Sequence, residues 1–382
     1  MLNSLSHGLG GAAELIGAGR LMDATAAIQR ALGGLVPAAG AADVNARRAP
    51  PTIDGFAEPL GAPTARRTRE RSRDFLGKVN LRDLVRQKAK VPSVTVRVPR
   101  GAQFLGGTFA NEAGSRPYKL YVPSGYRAGQ EVALVVMLHG CTQSRDDFAV
   151  GTRMNEIAEQ RNFLVVYPGQ VGSANMQKCW NWFHEADQRR DEGEPSLIAG
   201  ITRKIMVEYA VDPKRVFVAG LSAGGAAAAI MGASYPDLYA AIGVHSGLAC
   251  GAAHDVPSAF NAMHQGATGS ASGQQRILVP AIVFHGDQDT TVSPRNGEAV
   301  VAQSVGAASL STRLEQGQVP GGHSYTRTIR ADAAGRAVVE QWVLHGAPHA
   351  WSGGSPEGSY TDPKGPDASR EMVRFFMEST QA

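Results

Sequence analysis

The sequence predicts a doubly wound, mostly parallel α/β sheet over residues 96–382, preceded by an extension over 1–95. Three observations carry this. From about Val96, short runs rich in β-branched residues alternate with helical periodicities, the order that builds a sheet with right-handed crossovers. Several of those runs are apolar throughout, as strands covered on both faces must be. A serine flanked by glycines stands where one such run meets a helical segment.

The extension comes first. Residues 1–100 carry 16 Lys/Arg against 8 Asp/Glu, a balance of +8, which leaves −4 for the rest of a chain whose formal charge is +4. Leu15, Ile16, Leu21, Ala24, Ile28 and Leu32 recur at three- and four-residue steps, so residues 12–32 read as an amphipathic helix. Residues 36–73 are rich in Ala, Pro and Arg and end in Arg66-Arg67-Thr68-Arg69-Glu70-Arg71-Ser72-Arg73, where a packed core is not expected. That basic run could meet a polyanion. It has no interleaved aromatics and no binding-motif frame, so it reads as solvated linker and no nucleic-acid partner is expected.

Beyond it, strands are expected at 118–122, 133–138, 163–167, 215–219, 241–245, 281–284 and 337–344. Helices are expected at 153–160, 197–209, 223–234, 296–304 and 369–379. There is no internal repeat.

Composition removes several classes. At 43% hydrophobic and 19% charged, 382 residues suffice for one large domain with an appendage. No stretch approaches the roughly 18 apolar residues of a membrane span. Residues 1–34 lack the basic start and compact apolar run of a secretory signal, which favours the cytoplasm. Forty-five Gly and 21 Pro without a three-residue period exclude collagen and predict many tight turns. Three cysteines, Cys141, Cys179 and Cys250, are too few for a disulfide scaffold and fit no zinc spacing. They read as ordinary thiols with room for one bridge, and neither a metal nor an organic cofactor is expected.

The strongest local signal is Gly220-Leu221-Ser222-Ala223-Gly224, entered from an apolar strand and leaving into a helix of small residues. Such a turn is sterically tight, because side chains at the flanking glycines would collide with strand and helix. It lifts the serine Oγ above the sheet edge and aims a helix N-terminus at it. Ser222 is therefore the expected nucleophile. A hydroxyl needs a base within hydrogen-bond reach and an acid to orient that base. On an α/β sheet with this turn the chain order is Ser, then Asp or Glu, then His. Downstream histidines are His245, His254, His264, His285, His323, His345 and His349. His245 and His285 precede or accompany the acid and read as structural. His349 follows the last strand, where an imidazole can swing over the serine, and His345 is its rival. Asp289 is favoured as the acid because Val292-Ser293-Pro294 then turns the chain into the next helix; Asp287, a turn-former, is the alternative.

The oxyanion needs two backbone donors. One is expected from Ala223, after the nucleophile, and the other from Cys141 in His139-Gly140-Cys141-Thr142-Gln143, where Gly140 lets the amides turn inward. The Cys141 thiol reads as packing or bridging rather than catalytic. Cys179-Trp180-Asn181-Trp182-Phe183 is either a loop pinned to the core or a platform for an apolar or ring-bearing substrate, with Trp351 a possible second wall.

Taken in order, Tyr118–Pro123, His139–Gln143, Cys179–Trp182, Gly220–Gly225, His285–Asp289 and His349–Gly354 make residues from about 105 to 378 resemble the polyhydroxybutyrate depolymerase family of esterases, within the α/β-hydrolase superfamily. The resemblance implies Ser222 as nucleophile, Asp289 as orienting acid, His349 as base, and the Cys141 and Ala223 amides as oxyanion donors. It also implies that Cys141 and Cys179 lie close enough to bridge. The expected activity is hydrolysis of short-chain hydroxyalkanoate esters, polymeric or oligomeric, without a cofactor. The catalytic region is also similar to feruloyl and acetylxylan esterases, for which Trp180, Trp182 and Trp351 would hold an aromatic acid or sugar. Secreted polymer-degrading members carry a leader, and many a polymer-binding module; in place of these the chain has its helix-plus-basic extension. The resemblance therefore leans extracellular where the opening leans cytoplasmic. A granule-associated binding protein anchored by that extension is the alternative outside enzymology.

Overall fold

The computed structural model describes residues 94–266, 279–306 and 309–380. All of them belong to the second of the two units into which the chain divides, Arg82–Ala382. The extension expected over 1–95, with its helix and basic run, lies outside the described residues except for 94 and 95.

Ten strands form one sheet: β1 (Gln103–Asn111), β2 (Gly114–Val122), β3 (Val132–Leu138), β4 (Leu164–Pro168), β5 (Val211–Leu221), β6 (Ala241–His245), β7 (Ala281–Gly286), β8 (Ser311–Gln318), β9 (Ser324–Ala331) and β10 (Ala337–Leu344). Their order is β1-β2-β4-β3-β5-β6-β7-β10-β9-β8. The middle run from β4 to β10 is parallel, and an antiparallel pair extends it on each side. The helices are α1 (Arg145–Thr152), α2 (Met154–Arg161), α3 (Gly193–Glu208), α4 (Ala223–Ser234), α5 (Val256–Gln265), α6 (Arg295–Val305) and α7 (Ala368–Ser379).

The apolar strands bury both faces, as their composition requires. On one side Leu134, Val136 and Leu138 of β3, Val216 and Val218 of β5, and Ile242 and Val244 of β6 pack with α3 and α4. On the other, Val135, Met137, Phe217, Ala219, Ile282 and Phe284 pack with α1, α2 and α7. Every residue of α4 is buried, which its Ala and Gly content permits, since small side chains let a helix approach a sheet closely. On α7, Phe376 stacks on Phe217 with ring centroids 4.8 Å apart.

All seven expected strands form. The antiparallel strands β1, β8 and β9 were not anticipated, nor were α1 and α5. β8 (Ser-Thr-Arg-Leu-Glu-Gln-Gly-Gln) is exposed or half-exposed along its whole length, so it carries no apolar face to read. Its charged, polar edge suits the last strand of an open sheet. In β1, Gly107 admits the ring of Tyr118 from β2 where a Cβ would collide with it. Among the described residues no helix is long and apolar enough to cross a membrane.

Candidate active site

The parallel strands bring their C-terminal ends to one side of the sheet, and the residues of interest stand there. Ser222 follows β5 and precedes α4 with φ 57° and ψ −120°, a region an L-residue enters only under constraint. Two backbone bonds supply the constraint: the Ser222 N–H donates to the His245 carbonyl (2.9 Å), and the Ser222 carbonyl accepts the Ala226 N–H (2.9 Å). The flanking glycines are required. A Cβ on Gly220 would run into the Gly224 carbonyl, and one on Gly224 into the Leu138 carbonyl. The N-terminus of α4 thus points its free amides at the serine.

Asp289 lies after β7 and His349 after β10, and the two meet: Nδ1 of His349 lies 2.7 Å from Oδ2 of Asp289. The other carboxylate oxygen accepts the N–H groups of Thr291 (3.0 Å) and Val292 (2.8 Å). His285 Nε2 lies 3.4 Å from Oδ2 and 2.8 Å from the Val292 carbonyl. Burial works to raise the Asp289 pKa, but the hydrogen bonds from His285 and His349, the His349 charge and the Val292 amide outweigh it. The carboxyl is held well below the usual range, so it is ionised at neutral pH.

The rival pair is assembled differently. His345 Nδ1 meets Asp287 Oδ2 at 3.0 Å, and its Nε2 meets Thr326 Oγ1 at 2.9 Å. Both its nitrogens are engaged at an exposed rim, with side chains 41% and 36% exposed, against 11% and 0% for His349 and Asp289. Nε2 of His349 bonds to none of the described residues, and no hydrogen bond joins it to the Ser222 hydroxyl here. Catalytic bonds of this kind often close only when substrate is bound.

The loop after β3 packs directly on the serine turn. A Cβ on Gly140 would stand 3.5 Å from the Leu221 carbonyl and 3.6 Å from the Ser222 Cβ. The Gly140 N–H is already committed to Gln143 Oε1 (2.9 Å), and the Thr142 N–H to the Gln177 carbonyl (2.6 Å). Between them the Cys141 N–H bonds to none of the described residues, and the same holds for Ala223. Cys141 is disulfide-bonded to Cys179, 38 residues on. Cys250 is the free thiol; burial pushes it up to about 12, which keeps it protonated and unreactive.

A buried polar network supports this loop. Glu194 accepts from Arg116 (3.1 Å), from the Gln170 side chain, and from both the backbone (2.7 Å) and side chain (3.0 Å) of Asn181. Gln170 in turn donates its N–H to His139 Nε2 (3.1 Å). Burial pushes the His139 pKa down to about 4, so this ring is neutral and structural. Gln143, Gln170 and Glu194 were not singled out from the sequence. An amide or acid in a polar loop gives no pattern to read.

The three tryptophans require a correction. Trp180 is 0% exposed, Trp182 6% and Trp351 1%. Trp180 donates to the His139 carbonyl (3.1 Å), and Trp351 donates to Ser369 Oγ (3.0 Å) while stacking on His245. They pin loops to the core, and none turns a ring face to solvent. Tyr360 is 37% exposed, and its hydroxyl lies 3.2 Å from Thr142 Oγ1 in the loop after β3. Among the described residues no group of three or more His, Cys, Asp or Glu side chains could hold a metal ion.

The fold, with its mixed sheet and a serine turn after the fifth strand, is that of the α/β hydrolases. An acetyl xylan esterase from Aspergillus awamori shares it at a TM-score of 0.55 and 21% identity, over 72% of this chain and 99% of that one. The chain belongs to the esterase PHB depolymerase family, whose model matches residues 116–311. It is 31% identical over 252 residues to poly(3-hydroxyalkanoate) depolymerase C of Paucimonas lemoignei, covering 63% of this chain and 60% of that protein. It is 29% identical to poly(3-hydroxybutyrate) depolymerase of Ralstonia pickettii, over 61% and 50%. Acetylxylan esterase A of Talaromyces purpureogenus is also 29% identical, over 53% and 56%. The matches thus span 50 to 60% of the length of these curated relatives.

Proposed function

We propose that the chain is a serine esterase hydrolysing short-chain hydroxyalkanoate esters, poly- or oligo-3-hydroxybutyrate, through Ser222, His349 and Asp289. The observation that carries this reading is the 2.7 Å contact between His349 Nδ1 and a buried, ionised Asp289, at the same end of the sheet as the Ser222 turn. With the Nδ1 proton directed at Asp289, Nε2 is left as the base. His349 takes the Ser222 proton as Oγ attacks the ester carbonyl. The Cys141 and Ala223 amides receive the oxyanion, worth roughly two to three orders of magnitude in rate per donor. The protonated imidazole then returns its proton to the leaving alcohol, and water repeats the sequence on the acyl-enzyme.

The substrate class is supported by the names of the Paucimonas and Ralstonia relatives. The names of acetylxylan and feruloyl esterases among the other relatives favour a second reading, a carbohydrate esterase. Burial of Trp180, Trp182 and Trp351 weakens it, since those rings were to have held the aromatic acid or sugar. Turnover of 3-hydroxybutyrate trimer, methyl ferulate and p-nitrophenyl butyrate separates the two. We expect the trimer to exceed methyl ferulate in kcat/KM by about tenfold or more, and Ser222→Ala to remove about a million-fold of the activity. A preference for methyl ferulate overturns the substrate class, and an active Ser222→Ala protein overturns the mechanism.

A further inference from the structure

Besides His139, two buried histidines outside the Ser222, His349 and Asp289 set stand at strand ends beside it. His285 buttresses the Asp289 turn through the Val292 carbonyl. His245, the last residue of β6, does something more specific. Its carbonyl accepts the Ser222 N–H at 2.9 Å. Its ring Nε2 accepts the N–H of Ser352 at 3.0 Å, three residues after His349. An N–H can only donate, so this nitrogen carries no proton, and the ring proton sits on Nδ1, 3.2 Å from Ser246 Oγ. Trp351 and Phe284 stack on the ring at centroid distances of 5.2 and 5.7 Å, which fixes its plane. Burial foremost, then the charges of His285 and His349, push its pKa down to about 3, so the acceptor stays available.

We infer that His245 is a positioning residue of the catalytic centre, tying the backbone of the nucleophile turn to the backbone that follows the base. The inference rests on the reading of Ser222 and His349 as nucleophile and base. One residue bonds both segments, so a shift in either is transmitted to the other. A misplacement of about 1 Å between reacting groups is enough to cost about a hundredfold in rate. Ser352 is 1% exposed, so an apolar residue at 245 leaves its N–H unpaired and removes this tie on the segment. A glutamine side chain is long enough to offer its carbonyl oxygen where Nε2 now accepts.

The test uses the full chain as wild type, His245→Leu, His245→Gln and Ser222→Ala, with p-nitrophenyl butyrate as substrate. His245→Leu is expected to lower kcat by about 10- to 100-fold while KM stays within about twofold, since the loss falls on alignment rather than on substrate contact. His245→Gln is expected to recover kcat to within about fivefold of wild type. Nitrogen-15 spectra of the wild-type protein at neutral pH are expected to show His245 as the neutral Nδ1–H form. An unchanged kcat in His245→Leu, a Gln variant as slow as the Leu variant, or a ring protonated on Nε2 overturns the inference. Where the Leu variant does not fold, the Gln variant and the wild-type spectrum decide. Failure of the underlying reading looks different, because Ser222→Ala then remains active whatever stands at 245.

Discussion

A buried carboxylate stays charged only when both of its oxygens are met, and at Asp289 they are. Two backbone amides hold one oxygen and two imidazoles face the other. Since the folded-state pKa lies below the unfolded one, the stability this group contributes is fully present above the ordinary carboxylate range. It is lost as pH falls through the depressed value. Asp289→Asn is therefore expected to lower Tm near neutral pH, with the gap to wild type closing only in strong acid. An amide there can also donate to His349 Nδ1 and so place the ring proton on Nε2, which removes the base; kcat is expected to fall about ten-thousandfold. Asp287→Asn acts on a half-exposed rim pair and is expected to leave kcat within about fivefold. Thermal melts across pH and steady-state kinetics of the two variants check this, and equal losses in both would contradict the assignment of the acid. The turn at Val292-Ser293-Pro294 singled out Asp289 over Asp287 in the sequence, and it is Asp289 that meets His349 in the structure. What could not be read was that the rival histidine and the rival aspartate would pair with each other.

At the scale of elements, the loop after β3 is shaped by its neighbours more than by its own sequence. The Cys141–Cys179 bond ties it to the segment that the Glu194 network holds, and Gln143 fixes Gly140 from the other side. Closing a loop of this length stabilises a fold by roughly 3–4 kcal/mol through the unfolded chain. Replacing both cysteines by serine is expected to lower Tm by roughly 5–10 °C. If the Cys141 amide receives the oxyanion, kcat falls by about tenfold to a hundredfold with little change in KM. Calorimetry and initial-rate kinetics on the double variant measure both, and a full kcat at a lowered Tm would remove the amide from the mechanism. The central strands were legible because burial on both faces leaves an unbroken apolar run. The outer strands β1, β8 and β9 lack that run, being paired at edges where polar residues suffice. In α5 the Asp255 and Ser258 capping box was a readable start signal, followed by a pattern with only two residues fully buried. The sequence left residues 179–183 open between a pinned loop and a platform, because their rings look exposed until that loop is folded onto α3 and α4; Trp351 packs elsewhere, beside His245 and α7.

Across the whole domain, each catalytic candidate is delivered by a different strand of one parallel set, and the order β5-β6-β7-β10 places His245 between Ser222 and Asp289. Two apolar layers, one on each face, bury the strands that end there. The proposed hydrolysis depends on one hydroxyl being activated at the end of β5. The most direct measurement is stoichiometric labelling of the full chain with diethyl p-nitrophenyl phosphate, followed by peptide mass spectrometry and an ester assay. We expect one phosphoryl group per chain, located on Ser222, with activity lost in proportion to labelling. Loss of activity with the label on another residue, or full activity with Ser222 quantitatively modified, would contradict it.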